Sequence, residues 1–196
     1  MLLAVLAVLL LGTQNVSAAR ADREEAYRNI QAELQKEYTV SYAEQRDLTG
    51  DGEPELLVVY TDGVQRSYDQ GAFTSPYMIA VYSCSKDGNV RRLGRLKGLF
   101  SDATVGAKIQ ALAIATMNGR TYIVTGGQNM NYHYNFYAVE NGKLALVRTF
   151  RCEWNEESWK IDGAETERRT FLRQLRSWQG SMRYVRYFKN AAGGEI

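Results

Sequence analysis

Apolar residues fall along this chain in three rhythms, and each predicts a different kind of element. Leu2 to Leu11 is an unbroken apolar run, followed by polar Thr13-Gln14-Asn15 and small Val16-Ser17-Ala18-Ala19. That order predicts an export signal over residues 1–19, cleaved after Ala18 or Ala19. The run is too short to span a bilayer, which takes roughly 20 apolar residues in a helix. No Lys or Arg precedes it, which leaves the true start of the leader open. Residues 22–38 then change to a period near 3.6. Tyr27, Ile30, Leu34 and Tyr38 form one stripe, while Arg23, Arg28, Glu33, Lys36 and Glu37 take the other positions. Asp22 is placed to cap this helix, with Glu25 completing a capping box.

From residue 40 the period becomes two. Val40, Tyr42 and Glu44 alternate with Ser41 and Ala43, and Leu56-Leu57-Val58-Val59-Tyr60 reads as a buried strand. Paired apolar segments then flank turn signals. Met78–Cys84 and Val90–Leu96 flank Lys86-Asp87-Gly88-Asn89; Ile109–Thr116 and Thr121–Thr125 flank Asn118-Gly119. Asn135–Val139 and Leu144–Phe150 flank Asn141-Gly142, and Asp162-Gly163 follows a strand over Glu153–Ile161. Asn-Gly and Asp-Gly favour hairpins because both central residues of a type I′ turn need positive φ. A second helix is predicted over 165–179, with Phe171, Leu172, Leu175 and Trp178 on one face and Glu165 and Glu167 in its first turn. Gly180 stops it, and Met182–Phe188 is a candidate last strand. Ala191–Ile196 reads as frayed.

The expected fold is mostly β (α+β): an antiparallel meander sheet with an N-terminal helix and a helix near the C-terminus. Residues 20–196 suit one secreted β-rich domain with one core. A closed propeller needs at least four blades of roughly 40–50 residues, a minimum that this length barely meets while two segments go to helices, so a curved meander sheet backed by two helices is expected instead. A hydrophobic content of 45% fits a folded globule rather than a disordered tail.

Charge changes the picture only in its distribution. Residues 21–80 carry twelve acids against five bases, whereas residues 168–194 carry Arg168, Arg169, Arg173, Arg176, Arg183, Arg186 and Lys189 with no acid. The basic end could meet an anionic partner such as teichoic acid, but the preferred explanation is that the two ends face each other or face water. No aromatic–basic nucleic-acid motif accompanies the arginines. Cys84 and Cys152 are compatible with a disulfide across a sheet or with two buried thiols.

The segment Asp47-Leu48-Thr49-Gly50-Asp51-Gly52-Glu53-Pro54-Glu55 carries the one chemical pattern. Side-chain oxygens fall at positions 1 (Asp47), 3 (Thr49), 5 (Asp51) and 9 (Glu55), and the carbonyl of Glu53 at position 7. Gly52 permits the sharp turn that folds these oxygens onto one point. Calcium takes 6–8 oxygens, and alternate positions of a tight loop supply them. Val58 at position 12 excludes an EF-hand, which needs Glu there. Three carboxylates and a threonine predict weak affinity, with a Kd on the order of 10⁻⁴–10⁻³ M. The competing explanation is a plain Asp-Gly turn whose carboxylates bond backbone amides.

The stretch from Asp47 to Val58 resembles the D-x-D-G-D-G-x-P-E-L loop of short secreted proteins and lipoproteins of Gram-positive bacteria. It is also similar to the calcium loops of FG-GAP and VCBS repeats, as in integrin α propellers. Thr49 departs from the pattern, where Asp is usual. The resemblance implies Asp47, Thr49, Asp51, Glu53 and Glu55 as calcium ligands.

Catalytic patterns are sparse. His133 is the single histidine and sits in a strand-like run. No G-x-S-x-G elbow, phosphate loop or zinc spacing occurs. The expected function is therefore a secreted, non-catalytic, calcium-binding module. It would be monomeric, extracellular or associated with the cell wall, and would offer a surface to a protein or glycan partner. Tyr132, Tyr134, Phe136, Tyr137, Trp154 and Trp159 are the rings that could form such a surface. The alternative is a small extracellular hydrolase using two carboxylates on cell-wall or other glycans, with Glu156-Glu157 beside Trp154 as the cluster to inspect.

Overall fold

In Leu56-Leu57-Val58-Val59-Tyr60 every residue is buried, although strand side chains alternate between faces. Both faces must therefore be covered. Leu57 and Val59 join one core cluster, while Leu56, Val58 and Tyr60 join another. A computed structural model describes residues 20–64, 66–68, 72–101, 111–128, 131–153, 158–180 and 182–185. The proposed leader, the Trp154-Asn155-Glu156-Glu157 cluster, Arg186, Lys189 and 191–196 lie outside the described residues.

Helix α1 spans residues 20–35. The first sheet holds β1 (Thr39–Arg46), β2 (Glu55–Thr61), β3 (Arg66–Tyr68), β4 (Ala72–Cys84) and β5 (Val90–Ser101). β5 pairs with β4 from Thr74 to Cys84, so β2 and β3 share the other edge of β4 end to end. The second sheet contains β6 (Ala111–Met117), β7 (Arg120–Gln128), β8 (Tyr132–Glu140), β9 (Lys143–Glu153), β10 (Ser158–Ile161) and β11 (Ala164–Glu165). Helix α2 (Arg168–Gln179) follows, and β12 (Arg183–Val185) returns to pair with β6. The sheet order is β11-β10-β9-β8-β7-β6-β12, antiparallel throughout.

Three apolar clusters define four layers. Leu57, Val59, Ile79, Val81 and Leu93 of the first sheet pack on Leu112, Ile114, Ile123 and Val185 of the second. Ile30 and Leu34 of α1 cover the outer face of the first sheet around Leu56, Val58 and Tyr60. Phe171 and Leu175 of α2 cover the outer face of the second, over Ala113, Phe136, Phe150 and Cys152. The order is helix, sheet, sheet, helix. Each fully buried Leu, Val or Phe contributes about 1.5–3 kcal/mol by leaving water.

The mostly β architecture with its two terminal helices agrees with the sequence pattern. The division into two stacked sheets does not, since turn signals fix which strands are neighbours but not where a meander breaks. Asn118-Gly119, Asn141-Gly142 and Asp162-Gly163 have positive φ at both residues, as type I′ hairpins require. α1 already includes Asp22, which is therefore inside the helix rather than its cap, and α1 ends before Tyr38. α2 starts at Arg168, with Glu167 as its N-cap residue and Glu165 in β11. The acidic first turn expected there is absent.

Cys84 packs on the α1 side and Cys152 on the α2 side, and both are free thiols. The sandwich between them rules out the disulfide option. The acid-rich and base-rich segments touch at one point: Arg183 of β12 donates to both Glu44 oxygens of β1, at 3.0 and 2.7 Å, beside Arg46. Burial works against an ionised Glu44. Hydrogen bonds from Tyr42, Arg46 and Arg183 outweigh it and hold the carboxyl below the usual range. No helix of the described residues is long and apolar enough to cross a membrane.

Candidate functional site

The acidic segment is the loop of the β1–β2 hairpin, closed by the pair Arg46↔Glu55. Gly50 and Gly52 take φ of 84° and 85°, a left-handed backbone with no steric cost for glycine. These turns fold the loop onto its own acids. Asp47 accepts from Gly50 N at 2.6 Å through Oδ1 and from Gly52 N at 3.0 Å through Oδ2. Asp51 Oδ1 accepts from Glu53 N at 2.8 Å. The Thr49 hydroxyl lies 3.5 Å from Asp47 Oδ1 and 3.3 Å from Glu55 Oε1.

Glu55 is the distinctive group. It opens β2 and is only 3% exposed, yet its partners are neutral. Leu48 N and Thr49 N donate to Oε2 at 2.8 and 3.2 Å, and the Thr49 hydroxyl to Oε1. Among the described residues no Lys or Arg forms an ion pair with Glu55, Asp47 or Asp51. Burial therefore pushes the Glu55 carboxyl up, Asp51 adds to the rise, and the amide and hydroxyl donors oppose it. A buried carboxylate is normally paired with a cation or bound to a metal.

The loop is also held from outside. The Leu48 side chain is buried in the core between the sheets. The Tyr27 hydroxyl of α1 donates to Pro54 O at 2.9 Å and to Tyr82 O at 3.3 Å. Burial, aided by the nearby Cys84 and Glu55, pushes that phenol far above its ordinary range, so it stays a donor. Arg23, 8% exposed, pairs with Glu53, while its buried Nε makes no hydrogen bond.

Asp47, Thr49 and Glu55 are thus linked directly, and Asp51 lies close enough to act on Glu55 electrostatically. The side chain of Glu53 is turned to Arg23, which leaves its carbonyl as the group to consider. Among the described residues no three His, Cys, Asp or Glu side chains form a ready metal cluster. Any cation here needs the Thr49 hydroxyl and backbone carbonyls as well, the hard oxygen donors that calcium accepts. The chemistry of this set fits calcium and does not fit zinc or copper, which favour nitrogen and sulfur.

Arg23 and Tyr27 were not legible as loop anchors, and Arg23 is buried rather than on the polar side of its helix. The signal was its spacing: residues 23, 27, 30 and 34 keep steps of four and three, so Arg23 belongs to the apolar stripe.

The remaining candidates have structural explanations. His133 is exposed, with Nε2 2.6 Å from Glu153 Oε1 and Arg151 on the same oxygen. The hydrogen bond from His133 holds the Glu153 carboxyl below the usual range, against slight burial and with help from Arg151. Cys152 pairs across with Tyr132, so His133 faces the opposite side of the sheet and cannot activate it. Burial pushes both thiols up. Tyr134 and Phe136 are core residues, and Tyr132 and Trp159 pack on Phe171. Tyr137 packs against the core between the sheets, so these rings do not form an open aromatic face. No protein family, no curated protein and no solved structure matches the chain.

Proposed function

We propose that the protein is a secreted, non-catalytic module whose β1–β2 loop binds calcium, and that it offers its surface to a partner. Glu55 carries this reading: a carboxylate buried at the mouth of the sandwich, with neutral partners and a second carboxylate beside it, is a group that a cation would stabilise. Asp47, Thr49, Asp51 and Glu55 would hold the ion with side-chain oxygens, and Glu53 with its carbonyl. The ion would supply the positive charge that the fold does not. Linking β1 to β2 beneath α1, it would act as a stabiliser of the sandwich rather than a catalyst. A pocket beside α2, lined by Thr116, Asn118, Tyr122, Ser177 and Trp178 among others, has no carboxylate in its lining and does not support the hydrolase alternative.

At 10 mM calcium a site with the expected affinity adds about 1.4–2.7 kcal/mol. For a chain of this size the melting midpoint should rise by about 3–10 °C over that in EDTA. Asp51→Ala should abolish the rise while folding normally in EDTA. An equal midpoint in calcium and EDTA for the unaltered protein would reduce the loop to a self-satisfied turn.

A further inference from the structure

The end of α2 and the β6–β7 hairpin frame an open pocket of about 410 Å³. Sites for small molecules commonly measure about 300–1,000 Å³. The hairpin contributes Thr116 and Asn118, β7 contributes Tyr122, and the last turn of α2 contributes Ser177 and Trp178. Among the described residues the lining holds no charged side chain. Its polar groups are hydroxyls, an amide and backbone. Asn118 is exposed, and among the described residues its amide makes no hydrogen bond. The Ser177 hydroxyl donates to Gln174 O at 2.7 Å, which leaves its oxygen as an acceptor. The last turn of α2, whose carbonyls lack intrahelical partners, forms one wall.

Tyr122 and Trp178 are only half-buried, and their rings meet at 5.3 Å with planes 64° apart. Arg120 lies over Tyr122 at 5.4 Å and Arg148 over Trp178 at 5.0 Å. Rings at this angle, each with a guanidinium on it, form no parallel slot for a flat base. Both arginines already face an acid, Glu140 at 2.7 Å and Asp162 at 2.9 Å, so their charge is balanced without an anionic ligand. What remains is a hollow edged by two rings, with uncharged donors and acceptors between them. A pyranose matches it: C–H groups meet the electron-rich rings, and hydroxyls both donate and accept. We infer that this pocket binds a neutral sugar unit of a glycan. The inference rests on the reading of a module that offers its surface to a partner, and it names the place and the ligand class. It uses no residue of the calcium loop, so Asp51→Ala leaves sugar binding intact.

The test is saturation-transfer NMR on the whole protein with the methyl glycosides of glucose, galactose, mannose and N-acetylglucosamine. At least one should bind with a Kd on the order of 1–10 mM, as expected for so small a ligand. The double variant Asn118→Gly, Ser177→Ala should keep its melting midpoint, because glycine suits the turn and alanine the helix. It should lose at least tenfold in affinity. Ser177→Phe, which fills the pocket from an exposed helical position, should abolish binding. No binding of any of the four glycosides at about 50 mM overturns the inference while leaving the calcium response as it is. Binding unchanged in both variants also overturns it. Tighter binding of glucuronate or adenosine than of every neutral glycoside overturns the ligand class.

Discussion

Gly126→Ala should cost more than about 3 kcal/mol, a large part of the stability of a domain this size. Gly126 lies in β7 with φ of 101°, and an added Cβ would stand 1.8 Å from the His133 carbonyl oxygen and 2.8 Å from its carbon. Both are backbone atoms of the paired strand β8, so no side-chain rotation relieves the contact. Gly163→Ala is the control. It also has positive φ, at 81°, but an added Cβ there meets nothing within 4 Å. That change should cost about 1 kcal/mol, the strain of the turn alone. Urea midpoints at equal slope give the comparison, and similar losses in the two variants would refute the backbone clash.

Tyr27→Ala should cost about 3–5 kcal/mol, as for other large aromatic truncations in a core. Tyr27 is fully buried among Leu56, Val58, Tyr60 and Tyr82, where α1 meets the first sheet. Its hydroxyl also joins Pro54 O at the end of the acidic loop to Tyr82 O on β4. Tyr27→Phe separates the two roles: it keeps the packing and should cost about 1–3 kcal/mol for the acceptors left without their donor. Both losses are read from denaturant unfolding. If Tyr27→Phe is as damaging as Tyr27→Ala, the hydroxyl rather than the ring anchors the loop.

The hairpins were legible because their turns need glycine or asparagine at positive φ, a local demand that leaves a direct trace. The layers were less legible. The run Leu56–Tyr60 signals burial on both faces, but nothing local says that one face meets a second sheet and the other a helix. α2 shows the same limit at smaller scale. Glu165 continues a helical pattern in sequence, yet its backbone pairs with Lys160 in a short ladder, and the helix begins three residues later. That shift moves Arg168 and Arg169 to the wrong end of the dipole and removes the simple explanation of the basic run. In the acidic loop, spacing singled out candidate oxygens, and the structure links those of Asp47, Thr49 and Glu55. It did not show that Glu55 is buried without a cation or that Glu53 belongs to Arg23, because both depend on where α1 docks.

Calcium titration by equilibrium dialysis tests the central claim most directly, using the unaltered protein, Glu55→Gln and Glu53→Gln. One ion per chain is predicted, with a Kd on the order of 10⁻⁴–10⁻³ M. Glu55→Gln should abolish binding, whereas Glu53→Gln should keep it, since the proposed ligand is the carbonyl of residue 53, while its side chain pairs with Arg23. No saturable binding by the unaltered protein, or binding unchanged by Glu55→Gln, would contradict the account.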